Sequence, residues 1–330
     1  MRVRVVCPPE RTDTVTDVLT GHDGVTDVAR FRGAALVPAG DVVEADVARE
    51  ATDDLLDELH DLDLGPDSTV TLAGLDVALG HPVDEAEDTA PGSGEDAVVW
   101  DELEAATDTG SSLTASFLLF LTIATMIAAI GLLTDSQVLI VGSMILGPEF
   151  TPLAGIGVAL VRRRWRDCLG PLRVLVIGFA VAILLTAGFV AVLDLLGQVP
   201  DGYRGGTRPE VSFVYEPGVF SAVVALLAGI AGTLSLTAAK SSALVGVFVS
   251  VTTVPAGAEI GAGLVTGQAG QAGGAGVQLA VNLAFIVLAA VLTLAVQRTV
   301  WRRIGGSPAA RARRRGGTPT RSAARRGGRP

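Results

Sequence analysis

Histidine occurs three times, cysteine twice, tyrosine twice and lysine once in 330 residues. Each scarcity removes a class of function. Cys7 and Cys168 stand alone, without metal-like spacing and on segments expected inside the cell, so no disulfide is expected. His22, His60 and His81 all precede the apolar part and lie among acidic residues, which reads as a solvated surface and leaves that part with no histidine pair or triad. There is no glycine loop with a lysine to cradle phosphate, and fragments such as Val141-Gly142-Ser143 are too short to signal a nucleophile. Neither an enzyme nor a cofactor or metal is expected. The first residues, MRVRVVCPPE, lack the apolar stretch of a signal peptide, which points to a cytoplasmic first domain.

Charge is scarce in one sign at a time. Residues 1–110 hold 27 acids and 6 bases, net −21, whereas residues 111–330 hold 8 acids and 19 bases, net +11. Lys240 is the lone lysine and arginine supplies every other base, a bias that a GC-rich genome and adaptation to high salt both produce.

Hydrophobic residues make up 49% of the chain and mean hydropathy is +0.50, which for this length indicates several membrane spans. Before them, residues 1–80 read as a small domain. Residues 2–7 alternate as a strand, Glu10 to Leu19 as a helix, Val25–Val37 and Asp41–Val47 as a hairpin around Pro38-Ala39-Gly40. Arg49 to Leu62 carries Leu55, Leu56, Leu59 and Leu62 at helical spacing, and Ser68 to Leu79 gives a last strand. The order β-α-β-β-α-β implies a ferredoxin-like α/β sandwich. Residues 81–112 then read as an acidic linker to Asp96 followed by an amphipathic helix, whose Trp100 suits either a membrane interface or packing under the first domain.

Residues 113–297 divide into six membrane segments: Leu113–Leu133, Ser136–Val161, Pro171–Leu196, Val219–Ala239, Ser241–Val265 and Gly276–Val296, the last with Asn282 as its strongly polar residue. Arginines 162, 163, 164 and 166, Lys240 and the tail from Arg298 all fall on one side of a six-span plot, so both termini are expected to be cytoplasmic. Residues 298–330 form a basic tail expected to be disordered and to meet anionic lipid rather than nucleic acid.

Two segments depart from a plain membrane helix. The second has Gly147-Pro148-Glu149-Phe150-Thr151-Pro152 at its centre, and unpaired carbonyls there must face protein or a cavity. The fifth repeats the plan, with Pro255 and one acid, Glu259, in a glycine-rich run. Two halves of three spans, each with a broken middle helix, have opposite orientations because three is odd, the outline of a 3+3 inverted repeat. Six helices of coincidentally similar make-up are the alternative.

Asp135-Ser136, Gly142-Ser143-Met144, Gly147-Pro148, Thr151-Pro152, Arg162–Arg166, Gly229-Ile230-Ala231-Gly232-Thr233-Leu234-Ser235-Leu236 and Val254-Pro255 together resemble the uncharacterised hydrophobic membrane proteins classed as domain of unknown function 389. The resemblance implies a small α/β domain ahead of a multi-span unit and supplies no activity. Glu149 and Ala256 depart from it, since many members carry an apolar residue and a second proline there.

The expected site gathers Glu149, Pro148, Pro152, Ser136, Ser143, Pro255 and Glu259 as binders of a solute or ion. A charge at mid-membrane costs roughly 3 kcal/mol, so Glu149 should be neutral, paired or hydrated. It serves either a titrating role or the backbone groups freed by proline. Glu259, nearer a span end, reads first as an interfacial carboxylate, Asp194 as solvated, and Asp135 and Ser136 as a helix cap. The expectation is a multi-pass, prokaryotic cell-membrane transporter of a small solute or ion, proton-coupled and with a regulatory first domain. An ion channel and a non-transporting sensor or scaffold are the alternatives. Its partners are the bilayer, the unidentified solute and a second copy in a homo-oligomer.

Overall fold

The computed structural model describes residues 1–75, 77–90, 98–205, 211, 214, 218–237 and 253–304, the last four by backbone alone. Alternation from Arg2 to Cys7 (β1) puts Val3, Val5 and Cys7 on a fully covered face. There they meet Val15 and Leu19 of α1 (Thr12–Gly21), and Leu55 and Leu59 of α2 (Thr52–Asp61). β2 (Val25–Leu36), β3 (Ala39–Val47) and β4 (Thr69–Ala73) complete an antiparallel sheet in the order β2-β3-β1-β4. That is the connectivity of a ferredoxin-like sandwich.

Three details differ from the sequence reading. A 3-10 turn, Arg49–Ala51, precedes α2. β4 stops at Ala73, leaving Val77 and Leu79 exposed. The acidic stretch expected to be a linker forms α3 (His81–Thr89), with Pro82 in its first turn, where the missing N–H costs nothing. Ala86 and Ala90 are buried, and a Cβ at Gly24 would lie 2.9 Å from Ala51 and 3.4 Å from Ala90. Two alanines among acids are a faint signal for a packed face. Residues 91–97 lie outside the described residues.

After α4 (Trp100–Gly110) the chain is apolar and helical: α5 (Ala115–Leu133), α6 (Gln137–Met144), α7 (Phe150–Val161), α8 (Leu169–Leu195), the single turn α9 (Asp201–Arg204), α10 (Val219–Thr237), α11 (Thr253–Val265) and α12 (Ala269–Ile304). Among the described residues four helices, α5, α8, α10 and α12, are long and apolar enough to cross a membrane. The expected second span is divided into α6 and α7. Of the expected fifth span only α11 is described; residues 241–252, Lys240, Arg208 and the tail clusters Arg311–Arg315 and Arg321–Arg329 lie outside the described residues.

Small residues decide how these helices meet. α11, buried along nearly all its length, packs on α5, α8 and α12. A Cβ at Gly261 would lie 2.9 Å from the Ile183 carbonyl of α8, and one at Gly157 of α7 would lie 2.7 Å from Ala290 Cβ of α12. The two short helices therefore cross over, each packing on the long helix that follows the other. The two halves also share one spacing. Residues 115 and 219, where α5 and α10 start, 133 and 237, where they end, and the glycines 157 and 261 are all 104 apart.

α4 ties the sandwich to this bundle. The Trp100 N–H donates to Asp53 Oδ1 (3.0 Å) and Arg49 pairs with Glu102 (2.9 Å) on one side. On the other, Glu104 takes Arg162 (2.6 Å) and Arg164 (3.1 Å), with the Arg162 guanidinium 5.7 Å from the Trp100 ring centre. Trp100 packs with Val98, Leu103, Val158 and Leu294, so its ring lies against α7 and α12 of the bundle and not under the first domain.

Candidate functional site

The break in the second segment runs through residues 145–149. Ser143, fully buried in the last turn of α6, donates its hydroxyl to the Ile140 carbonyl at 2.6 Å. Pro148 lies in the break itself. Pro152 does not interrupt a helix as the sequence suggested. It is the third residue of α7, and Pro255 is the third residue of α11. In a first turn the backbone N–H has no intrahelical acceptor, so both prolines open helices without cost.

Glu149 immediately precedes α7 and is fully buried. Thr253, the first residue of α11, is equally buried and donates its hydroxyl to Glu149 Oε1 at 2.5 Å. The starts of the two short helices thus meet at one carboxylate. Both helix starts carry partial positive charge, which favours an anionic group between them.

The third element is α12. In the antiparallel pair α11 and α12, a Cβ at Gly263 would lie 3.1 Å from Ala272. Moving from 263 back to 253 and from 272 on to 282 brings Thr253 level with Asn282. α7 and α12 run parallel, Gly157 facing Ala290, Val158 clustering with Leu294 and Arg298 donating to the Val161 carbonyl. Moving back from 157 to 149 and from 290 to 282 reaches the same Asn282. Asn282 is fully buried and accepts from Gln278 Nε2 (3.2 Å). Gln278 Oε1 is buried with no hydrogen-bond partner among the described residues. Asn282 therefore has a buried polar neighbour one turn away, in a span expected to hold it alone.

Glu259 is not the interfacial carboxylate that its place near a span end suggested. It is fully buried on α11 and accepts from the Tyr203 hydroxyl (3.3 Å), and Tyr203 itself is 1% exposed. α9 lays Tyr203 over that end of the bundle, and Val211 and Val214 are buried beside it. Thr125 and Thr186, linked hydroxyl to hydroxyl at 2.9 Å, line the neighbouring α5–α8 contact. Ser136 stands apart, at the far end of α6, where it accepts from the Leu139 N–H (3.5 Å) as a helix cap. Asp194, expected to be solvated, pairs with Arg204.

Of the expected site residues, Glu149, Pro148, Pro152 and Pro255 are brought to one place and Glu259 lies further along α11. Ser143 sits one turn before the break. Thr253 and Tyr203 were missed. Tyr203 is one of two tyrosines in the chain, a rarity that was available as a signal. Thr253 carried none beyond its place before Val254-Pro255.

At the other end, beside Arg164, a cleft of about 440 Å³ lies between α4, α7 and the start of α8. Glu104, Thr107, Asp108, Ser111, Gly155 and Asp167 are among the residues that line it. Ser111 Oγ is buried there without a hydrogen-bond partner among the described residues.

Residues 144–288, which contain the break, α11 and Asn282, match the family model described as Domain of unknown function (DUF389). The chain carries this domain. Outside the DUF389 match lie the sandwich, α4, α5, α6 up to its last residue, and α12 beyond residue 288. The chain is also similar to an uncharacterised protein of Methanocaldococcus jannaschii, 24% identical over 184 residues, which are 55% of this chain and 54% of the relative. The chain thus spans about half the length of that curated relative. No solved structure matches.

Proposed function

We propose that this DUF389 protein is a multi-pass membrane transporter of a small solute or ion, not an enzyme, in which Glu149 is the coupling group. The observation that carries the proposal is the Glu149–Thr253 bond, which joins the starts of two short helices at the centre of the bundle. Residues 149 and 253 are themselves 104 apart, the spacing of the two halves, so the bond lies where a two-fold axis between halves would pass. Half-helices that meet at the midplane of an inverted repeat are a recurrent way to build a substrate or ion site. On this reading α6–α7 and the segment ending in α11 are the second and fifth of six spans. The arginine-rich end and both termini are cytoplasmic in the cell membrane, and the tail rests on anionic lipid. The sandwich regulates through α4.

The α4 ion pairs also favour a second reading, in which the sandwich senses a ligand and the bundle only relays it. Reconstitution decides between them. Full-length protein in liposomes should dissipate an imposed proton or cation gradient, saturably for a transporter and without saturation for a channel. Glu149→Gln should insert normally and lose the pH dependence of flux. A wild-type pH response in Glu149→Gln removes Glu149 from the mechanism, and absence of flux across an ion and solute screen favours the sensor.

A further inference from the structure

The arginines between α7 and α8 do not act as one cluster. Arg162 and Arg164 are taken by Glu104 of α4. Arg163 and Arg166 are exposed and make no ion pair among the described residues, and the same holds for Arg173 in the second turn of α8. Trp165, in the same loop, is 69% exposed. Asp167, the loop's one acid, lines the cleft beside α4.

Arg163 occupies a place made for glycine. The Arg163 N–H donates to the Leu160 carbonyl (3.1 Å) and the Arg164 N–H to the Ala159 carbonyl (2.9 Å), the paired bonds that end a helix through one left-handed residue. That residue is Arg163, at φ +60°. The other non-glycine residues at positive φ among those described, Asp27, Asp63 and Asp135, are aspartates, whose short side chain tolerates it. The repeat supplies its own comparison. Residue 267, 104 further on and in the same position after α11, is a glycine at φ +78°, and the matching bonds, Arg162 to Val158 and Thr266 to Ala262, are both present. An arginine where the second half uses glycine strains the cap, so its side chain has a task that the uncharged loop at 266–270 does not share.

The neighbouring helix says what surrounds it. Leu169, Leu172, Val176 and Ile177 form one face of α8 and are each 43–62% exposed, as expected of a face that meets acyl chains. Arg173 lies on this face, four residues from Leu169 and from Ile177. Helical side chains tilt towards the N-terminus, which aims Arg173 back at the loop, and its long stem lets the guanidinium reach the headgroup level. An exposed tryptophan beside it suits the same depth.

We infer that Arg163, Arg166 and Arg173, with Trp165, form a binding site for the phosphate of an anionic phospholipid at the α7–α8 loop. The occupant is a lipid and not a soluble phosphate because Arg173 is approached from the acyl-chain side. The inference goes beyond the transport reading and does not depend on it, and it is separate from any contact of the basic tail.

Tryptophan quenching tests it. Full-length protein carrying Trp100→Phe and Trp301→Phe, which leaves Trp165 as the sole tryptophan, is placed in nanodiscs of phosphatidylcholine and phosphatidylglycerol with one or the other lipid brominated. Phosphatidylglycerol should be enriched at Trp165 by about fivefold for each arginine engaged. Arg163→Gln, Arg166→Gln and Arg173→Gln together should return the local composition to that of the mixture, whereas Arg11→Gln with Arg32→Gln, on the sandwich, should change nothing. Arg163→Gly should lower the enrichment and yet raise the thermal midpoint in pure phosphatidylcholine by about 2–4 °C, followed by circular dichroism, which a misfolded variant would not do. Equal quenching by both lipids overturns the site, and so does full enrichment in the triple variant. An equal loss in the sandwich control reduces the effect to net charge and overturns it as well. Displacement of the lipid by millimolar inorganic phosphate, but not by chloride at equal ionic strength, overturns the lipid assignment. An Arg163→Gly protein no more stable than the parent in phosphatidylcholine removes the argument from the cap and with it the inference.

Discussion

Asp53 sits where the sandwich meets α4, and replacing it tests that joint. Burial pushes its carboxyl up from the ordinary 3.8 to about 6; the charges of Asp101 and Asp57 add to this, while the Trp100 N–H and Arg162 oppose it. A carboxyl that holds its proton more tightly when folded makes the fold bind more protons than the unfolded chain. The joint is therefore strongest below about pH 4, weakens as pH rises through the window from about 4 to 6, and is steady above it. Just over two pH units correspond to about 3 kcal/mol, and partial solvent contact reduces this to about 1–2 kcal/mol. Asp53→Asn keeps an oxygen for the Trp100 N–H and removes the titration. It should flatten the stability profile across that window and raise stability at pH 7.5 by about 1–2 kcal/mol. Thermal unfolding of the full chain in nanodiscs, followed by tryptophan fluorescence from pH 4 to 8, reads both effects. An Asn variant that keeps the wild-type slope, or loses stability at pH 7.5, refutes the reasoning.

Other outcomes follow from single contacts. Thr253→Val and Glu149→Leu should each destabilise by about 1–3 kcal/mol, with the double variant losing less than the sum; strict additivity in the thermal midpoints would mean the two groups do not interact. Gly157→Ala should cost about 1–3 kcal/mol through its clash with Ala290 Cβ and be largely rescued by Ala290→Gly. Gly261→Ala, which meets the Ile183 backbone, should resist rescue by any side-chain change on α8, and a rescuing variant there would show the contact to be misplaced. For topology, a cysteine at Gly273 should label from outside intact cells and Cys168 should not; equal labelling of both would sink the six-span arrangement.

What the sequence made legible follows from the range of each signal. Alternation and helical spacing are local, so the strands of the sandwich and α2 were readable, and so was the position of the break at Pro148. α3 was not, because its buried face consists of Ala86 and Ala90 among acids and composition outweighed them. The proline signal marked the right places and suggested the wrong role: Pro152 and Pro255 start helices instead of breaking them. The partners of the two buried acids could not be read at all. Thr253 is 104 residues from Glu149 and Tyr203 is 56 from Glu259, and no local pattern announces such pairings.

The crossed packing of α7 on α12 has a consequence for biogenesis. Gly157 is synthesised 133 residues before Ala290. At roughly 5–20 residues per second, α7 waits about 7–27 s in the membrane before the helix that covers its glycine face exists. A ribosome stalled well after α8 and before α12 would leave α7 with that face open to lipid or to insertion chaperones. The first half is then a translation intermediate with no partner of its own, and quality control must spare it until the second half arrives.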